Sequence, residues 1–218
     1  MTDTTFNKEL AEPFWSRVRA ALGALRPVSK DTQAEIGQLA FAKTHGRRSK
    51  PGPRIEEALA KGWASAAARR VSLSVLVIEI DRMPEYLAAY GKPAADDCAA
   101  SVMQAVADNL PHEGDICLRW DGGAFVAVLP DLPVLMARAS AARIHDAIRH
   151  LGLIHKESHA GAVTVSIGLA VNNPAGSYDK KFFHTAMDAL KKAQRKGLGR
   201  LETIDLRPVQ ERKRKKAA

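Results

Sequence analysis

The chain has 218 residues, 46% of them hydrophobic, with 33 Lys and Arg against 24 Asp and Glu and a formal net charge of +9. That is enough for one full-sized domain plus an appendage, and no apolar run approaches the roughly 20 residues a membrane-crossing helix needs. Cys98 and Cys117 are isolated, which excludes a disulfide framework or a cysteine-based metal motif and leaves two reduced thiols within packed elements.

The excess charge is concentrated at two places. Residues 43–54 hold five basic residues and no acid, and residues 207–218 hold six against Glu211, so each segment is +5 and the remainder is nearly neutral. Both read as flexible pieces outside the folded body. The opening MTDTTFNKEL has no apolar signal core, so a cytoplasmic protein is expected.

Glu12-Pro13 followed by Phe14, Val18, Ala21, Leu22 and Leu25 predicts a one-sided helix ended by Arg26-Pro27. A second helix from Asp31 carries Ile36, Leu39 and Ala40 to about Ala42. Residues 1–44 therefore read as a small helical appendage, either a dimerising or docking pair or one packed back on the body. Residues 45–53, HGRRSKPGP, are a basic linker by composition.

The body begins with a helix over residues 54–68, with Ile55, Leu59 and Trp63 on one side. Residues 71–80, VSLSVLVIEI, predict a strand whose continuous apolar end suits the centre of a sheet. Pro84 opens a short helical turn through Tyr86 and Leu87 that Gly91 stops, and residues 93–110 form a long helix with Ala99, Val102, Met103, Val106 and Leu110 on one stripe. Two short strands follow at 115–120 and 125–129, then a helix at 132–151 with Val134, Ala137, Ala141, Ile144, Ile148 and Leu151 in steps of three and four. A strand at 162–171, a helix at 179–196 with Phe183, Ala186, Leu190 and Ala193 on one face, and a strand at 201–206 complete the chain. The order β-α-α-β-β-α-β-α-β argues for an α/β sandwich on a central mixed five-stranded sheet.

Between the two short strands lies RWDGGAFVAVLP, Arg119 to Pro130. Gly122-Gly123 predicts a tight hairpin on the ground that glycine enters φ > 0 without steric cost, and a bare tip lets a phosphate or a second chain come close. The stretch resembles the signature hairpin of the GGDEF family, the bacterial diguanylate cyclases. SVLVIEID ending at Asp81, Gly91, Asp96, VTVSIGLAV and DALKKAQRKGLGR extend the resemblance over about residues 54–206. It implies a fold related to adenylyl cyclases and polymerase palms. Anchored on Arg119 and Phe125, the family's two glycines fall on Asp121 and Gly122 and its two acids on Gly123 and Ala124.

The resemblance implies an enzyme that joins two GTP molecules, one held by each subunit of a dimer, with divalent metals bound by carboxylates from the first strand and the hairpin tip. Glu79 matches the family's metal-binding aspartate with one extra methylene, and Ile80 the residue offering a backbone carbonyl. Asp81 matches the second aspartate of that motif; its other reading is a strand-ending charge that caps the Pro84 turn. Ala124 stands where the signature glutamate would be. Asp121, the one acid on the tip, either joins Glu79 on a metal or simply favours the turn. Leu87 replaces a base-reading Asn, and Met83-Pro84 an aromatic-Lys pair. Asp96 matches the second base-binding position and is otherwise an ordinary first-turn helix acid. Gln194 and Leu198 replace a Lys and an Arg that would face phosphates, with Arg195, Lys196 and Arg200 reading as solvated charges. The inhibitory Arg-x-x-Asp becomes His112 to Asp115, and histidine lacks the guanidinium fork that grips a guanine or phosphate.

The expected function is a catalytically inactive GGDEF-like domain acting as a regulatory or protein-interaction module, with no catalytic residue because Gly123 and Ala124 are altered. A vestigial nucleotide cleft comprises Glu79, Asp81, Asp96, Asp121, Gly122 and Gly123, with Glu79 and Asp81 its weak metal candidates; His112 and Asp115 form a vestigial inhibitory site. One alternative is a non-catalytic sensor of GTP or c-di-GMP; another is an adaptor whose basic tail, residues 207–218, touches nucleic acid or an anionic membrane surface. No cofactor is expected, and Mg²⁺ only with retained nucleotide binding. Partners would be a protein, weakly bound nucleotide, or a second copy of the chain. His150, His155 and His159, with Glu157 between them, form a loose cluster poorly spaced for zinc.

Overall fold

In a computed structural model, which describes residues 50–208, the sheet is built outward from its most apolar strand. β1 (Leu73–Ile80) is buried at every residue except Glu79. β-branched and leucine side chains on both faces suit it to the middle position. It pairs antiparallel with β3 (Ala124–Pro130) on one side and with β4 (Val165–Asn172) on the other. β2 (Ile116–Asp121) closes one edge antiparallel to β3, and β5 (Leu201–Asp205) closes the other parallel to β4, giving the order β2-β3-β1-β4-β5. This is the expected mixed five-stranded sheet. The two N-terminal helices expected at 13–42, most of the linker and residues 209–218 lie outside the described residues.

Alternation along the strands divides the core. Leu76, Ile78 and Ile80 face α2 (Met83–Asp108) and α3 (Val134–His150), while Leu73, Val75 and Val77 face α1 (Pro53–Arg69) and α4 (Lys181–Arg195). The short helical segment and the long helix expected on either side of Gly91 are both present, and α2 is kinked between them where Gly91 takes the non-helical φ 80° and ψ 170°. Among the described residues no helix is long and apolar enough to cross a membrane.

α4 lies close on β4 because Gly168 has no side chain. A methyl group there would stand 2.2 Å from the Leu190 backbone nitrogen and 2.3 Å from the Ala186 carbonyl oxygen. Neither atom can yield without moving the helix, which seats Phe182, Phe183 and Leu190 in the core. Gly168→Ala is therefore expected to cost at least about 3 kcal/mol in urea unfolding. Gly114→Ala, where no atom lies within 4 Å of the added methyl, should stay within about 0.5 kcal/mol of the parent.

Candidate functional site

The two strands that converge on the hairpin tip set the site. β-register places Glu79 of β1 directly opposite Ala124 of β3 and opposite Ser166 of β4. Directly opposed residues share a sheet face with Cβ atoms roughly 5 Å apart, so an acid at position 124 would meet the Glu79 carboxylate. A methyl group stands there instead, 9% exposed. Glu79 is reached from the α4 side by Gln194, whose Nε2 donates to Oε2 at 3.0 Å. An amide from α4 thus faces the Glu79 carboxylate.

The hairpin tip is tied to the protein. Arg119 donates from Nε and from a terminal nitrogen to the Gly122 carbonyl at 3.1 and 2.6 Å. The same terminal nitrogen reaches Asp96 on α2 at 3.1 Å. Asp96 also accepts from Lys92 at 2.7 Å, and the hydrogen bonds from Lys92 and then Arg119 hold its carboxyl below the ordinary range. Asp121 accepts from the Gly122 N–H at 2.8 Å, a bond within the turn itself.

The reason for glycine at the tip differs from the expected one. Neither Gly122 nor Gly123 has a positive φ. Gly123 is required because a Cβ there would sit 2.8 Å from Met83 Cγ at the start of α2. The constraint is helix-to-hairpin packing, invisible in a local pattern.

Asp81 corrects the other local expectation. It does not cap the following helix, whose N-terminus at Arg82 has no side-chain cap and sits in the left-handed region with φ 56°. Its side chain is buried, 3% exposed. Thr164 and Ser166 hydroxyls donate to Oδ2 and Oδ1 at 2.8 and 2.6 Å, and the Gly199 N–H donates to Oδ2 at 2.8 Å. Both carboxylate oxygens are thereby engaged by the protein, which satisfies the buried charge. Ser166 stands opposite Glu79 in the strand register, and no local sequence signal marks Thr164 or Ser166 as partners of Asp81.

His112 and Asp115 are brought together, as a closed turn. Asp115 Oδ2 accepts from the His112 backbone N–H at 2.9 Å and lies 3.5 Å from its Nδ1. The carboxyl side chain is 1% exposed and its Oδ1 is buried without a hydrogen-bond partner. Burial pushes this carboxyl up, opposed by the His112 backbone bond and ring.

The histidine cluster is dispersed. His150 ends α3 and lies 2.7 Å from the Asp146 carbonyl through Nδ1. His155 is fully buried, with Nε2 3.1 Å from the Arg82 carbonyl, so that nitrogen carries the hydrogen. Its edge meets Tyr86 at a centroid distance of 5.1 Å. Among the described residues no group of three His, Cys, Asp or Glu side chains could hold a metal ion.

Two predictions come from this geometry. Asp81→Ala strands two hydroxyls and one backbone N–H, and should cost about 3–5 kcal/mol in chemical denaturation, with Asp81→Asn costing less because it keeps an acceptor. For Asp115 the folded carboxyl titrates above its unfolded value. Its protonated form therefore stabilises the fold at low pH, and that contribution is lost as pH rises through the folded pKa. Asp115→Asn should accordingly raise Tm at neutral pH, with the gain shrinking toward acid pH in a pH series of thermal melts.

A family model described as "Diguanylate cyclase, GGDEF domain" matches residues 53–200. Diguanylate cyclase DosC of Shigella sonnei is 26% identical over 201 residues, covering 90% of this chain, which spans 42% of that relative's length. The GGDEF domain of DgcB from Caulobacter crescentus, solved with c-di-GMP, superposes with a TM-score of 0.61 at 20% identity, covering 68% of this chain and 85% of that one. Diguanylate cyclase SiaD of Pseudomonas aeruginosa, solved with its activator SiaC, gives a TM-score of 0.61 at 20% identity over 90% of this chain and 75% of its own. At those identities the likeness shows the fold. With the matched model covering most of the chain, the protein belongs to the GGDEF domain family of diguanylate cyclases.

Proposed function

We propose that this chain is a catalytically inactive GGDEF domain retained as a regulatory or protein-interaction module. The observation that carries the reading is the cross-strand pairing of Glu79 with Ala124, with Gln194 on the Glu79 carboxylate. Metal-assisted attack of a ribose hydroxyl on a phosphate needs carboxylates converging on the ions. Here Ala124 stands beside Glu79, the tip acid Asp121 lies one strand further across and accepts from Gly122 N–H, and Asp81 is engaged by three donors. Arg119 closes on the Gly122 carbonyl and Asp96, groups that would otherwise be open to a ligand.

In this reading residues 54–206 are the module, and residues 1–44, 45–53 and 207–218 are its helical appendage, linker and basic tail. A protein partner is the favoured kind. SiaD, of the same fold, was solved with an activator protein.

The test is direct. Purified full chain incubated with GTP and Mg²⁺ or Mn²⁺ should give no c-di-GMP by chromatography, and GTP or c-di-GMP should leave its melting temperature unchanged. Product formation overturns the proposal. A stabilisation of several degrees without product replaces it with a nucleotide sensor.

A further inference from the structure

The two edges of the sheet differ in how they are guarded. On β5, Glu202 is bridged by Lys192 and Lys196, and Asp205 is held by Arg207. Charges of this kind are a usual protection of an edge strand against further pairing. β2 at the other edge reads ICLRWD, with no Lys or Pro in it. Its apolar side chains, Ile116, Cys117, Leu118 and Trp120, are only half-buried.

Both charges of β2 are engaged within the same molecule. Arg119 is turned onto the Gly122 carbonyl and Asp96 of α2, and Asp121 accepts from the Gly122 N–H. Neither is left to repel an incoming strand. Among the described residues, no backbone group pairs with β2 on the side away from β3. A row of open amides and carbonyls beside apolar side chains is a template for one more strand.

The pattern of the strand selects its occupant. Ile116 and Leu118 stand opposite Val128 and Val126 of β3, on the face where Leu118 and Trp120 pack against the α1 and α4 layer. Cys117 and Arg119 stand opposite Ala127 and Phe125, on the other face. Consider a second β2 laid antiparallel about a two-fold axis at Leu118. Leu118 then meets Leu118 of the second copy, Ile116 meets its Trp120, and Cys117 meets its Arg119. Directly opposed residues keep to one sheet face, so one face of the joint is apolar throughout and no like charges are opposed. An axis at Arg119 would set two guanidinium groups against each other, which is unfavourable. The ladder with β3 shifts register between Arg119 and Asp121. Such a bulge bends the strand and ends regular pairing there.

We propose that β2 is a self-association edge: two copies of the chain pair antiparallel through residues 116–120 about a two-fold axis at Leu118, joining their five-stranded sheets into one. The same edge serves both copies, as a two-fold interface requires. The joint is small, so the dimer forms reversibly and with concentration. It is independent of whether the cleft binds or turns over GTP.

The experiment is sedimentation velocity of the full chain over about a hundredfold range of concentration, where a shift from monomer to dimer is expected. Leu118→Lys sets two ammonium groups across the axis and should keep the chain monomeric over the same range, with an unchanged circular dichroism spectrum. A second variant reports the register. In a Cys98→Ser, Cys117→Ser background, Leu118→Cys places two thiols opposite each other at a Cβ separation of about 4.5–5.5 Å, close to disulfide reach. Mild oxidation should link it into dimers at least about tenfold faster than Glu157→Cys in the same background, since Glu157 lies in the exposed loop before β4. A chain that stays monomeric throughout overturns the proposal, as does a dimer that persists in a folded Leu118→Lys variant. Equal linking rates for Leu118→Cys and Glu157→Cys overturn it too, and these rates decide alone where Leu118→Lys does not fold.

Discussion

The buried Asp81 carboxylate is the interaction on which the site end of the molecule depends. A charge removed from water must be compensated locally, and here three donors come from two places distant in sequence: Thr164 and Ser166 at the start of β4, and Gly199 between α4 and β5. One side chain thus joins the end of the central strand, the start of its neighbour and the loop leading to the sheet edge. Directly after it the backbone turns through the left-handed Arg82, whose carbonyl is held by the buried His155. The positions of Glu79 before this turn and of Met83 after it are consequences of that anchoring.

Around this anchor, the polar groups of the candidate cleft are joined by internal bonds. Glu79 receives the Gln194 amide, Arg119 closes on its own hairpin and on Asp96, and Asp121 satisfies the turn. Sites that bind charged ligands keep polar groups poorly matched until the ligand arrives, at a cost in stability. A cleft whose polar groups find partners within the chain has less of that mismatch. The same holds at the other surface, where Asp115 is folded back on His112. Its buried Oδ1 lacks a partner, and burial pushes the carboxyl pKa up against the opposing pull of His112.

Most elements were legible because their signals are local. Near-continuous apolar sequence marked β1 as central, three- and four-residue spacing marked the helices, and Gly91 marked the break inside α2. Contacts between distant segments were not legible. The hairpin glycines were expected to serve a positive φ, whereas Gly123 makes room for Met83. Asp81 was expected to cap a helix, and instead it gathers donors from residues 83 and more positions away. His155 was grouped with its sequence neighbours, although its bond is to Arg82.

By itself the sequence determined the sheet-and-helix order, an alanine at position 124, and the presence of two basic segments of equal charge, because these follow from residue identity and short-range periodicity. Tertiary structure alone decided that position 124 faces Glu79, that Gln194 reaches that carboxylate, and that Asp81 gathers its donors from the start of β4 and the loop before β5. Those facts depend on strand register and on which helix packs on which face. Register is fixed by burying one face of every strand at once, a condition no local stretch of sequence contains.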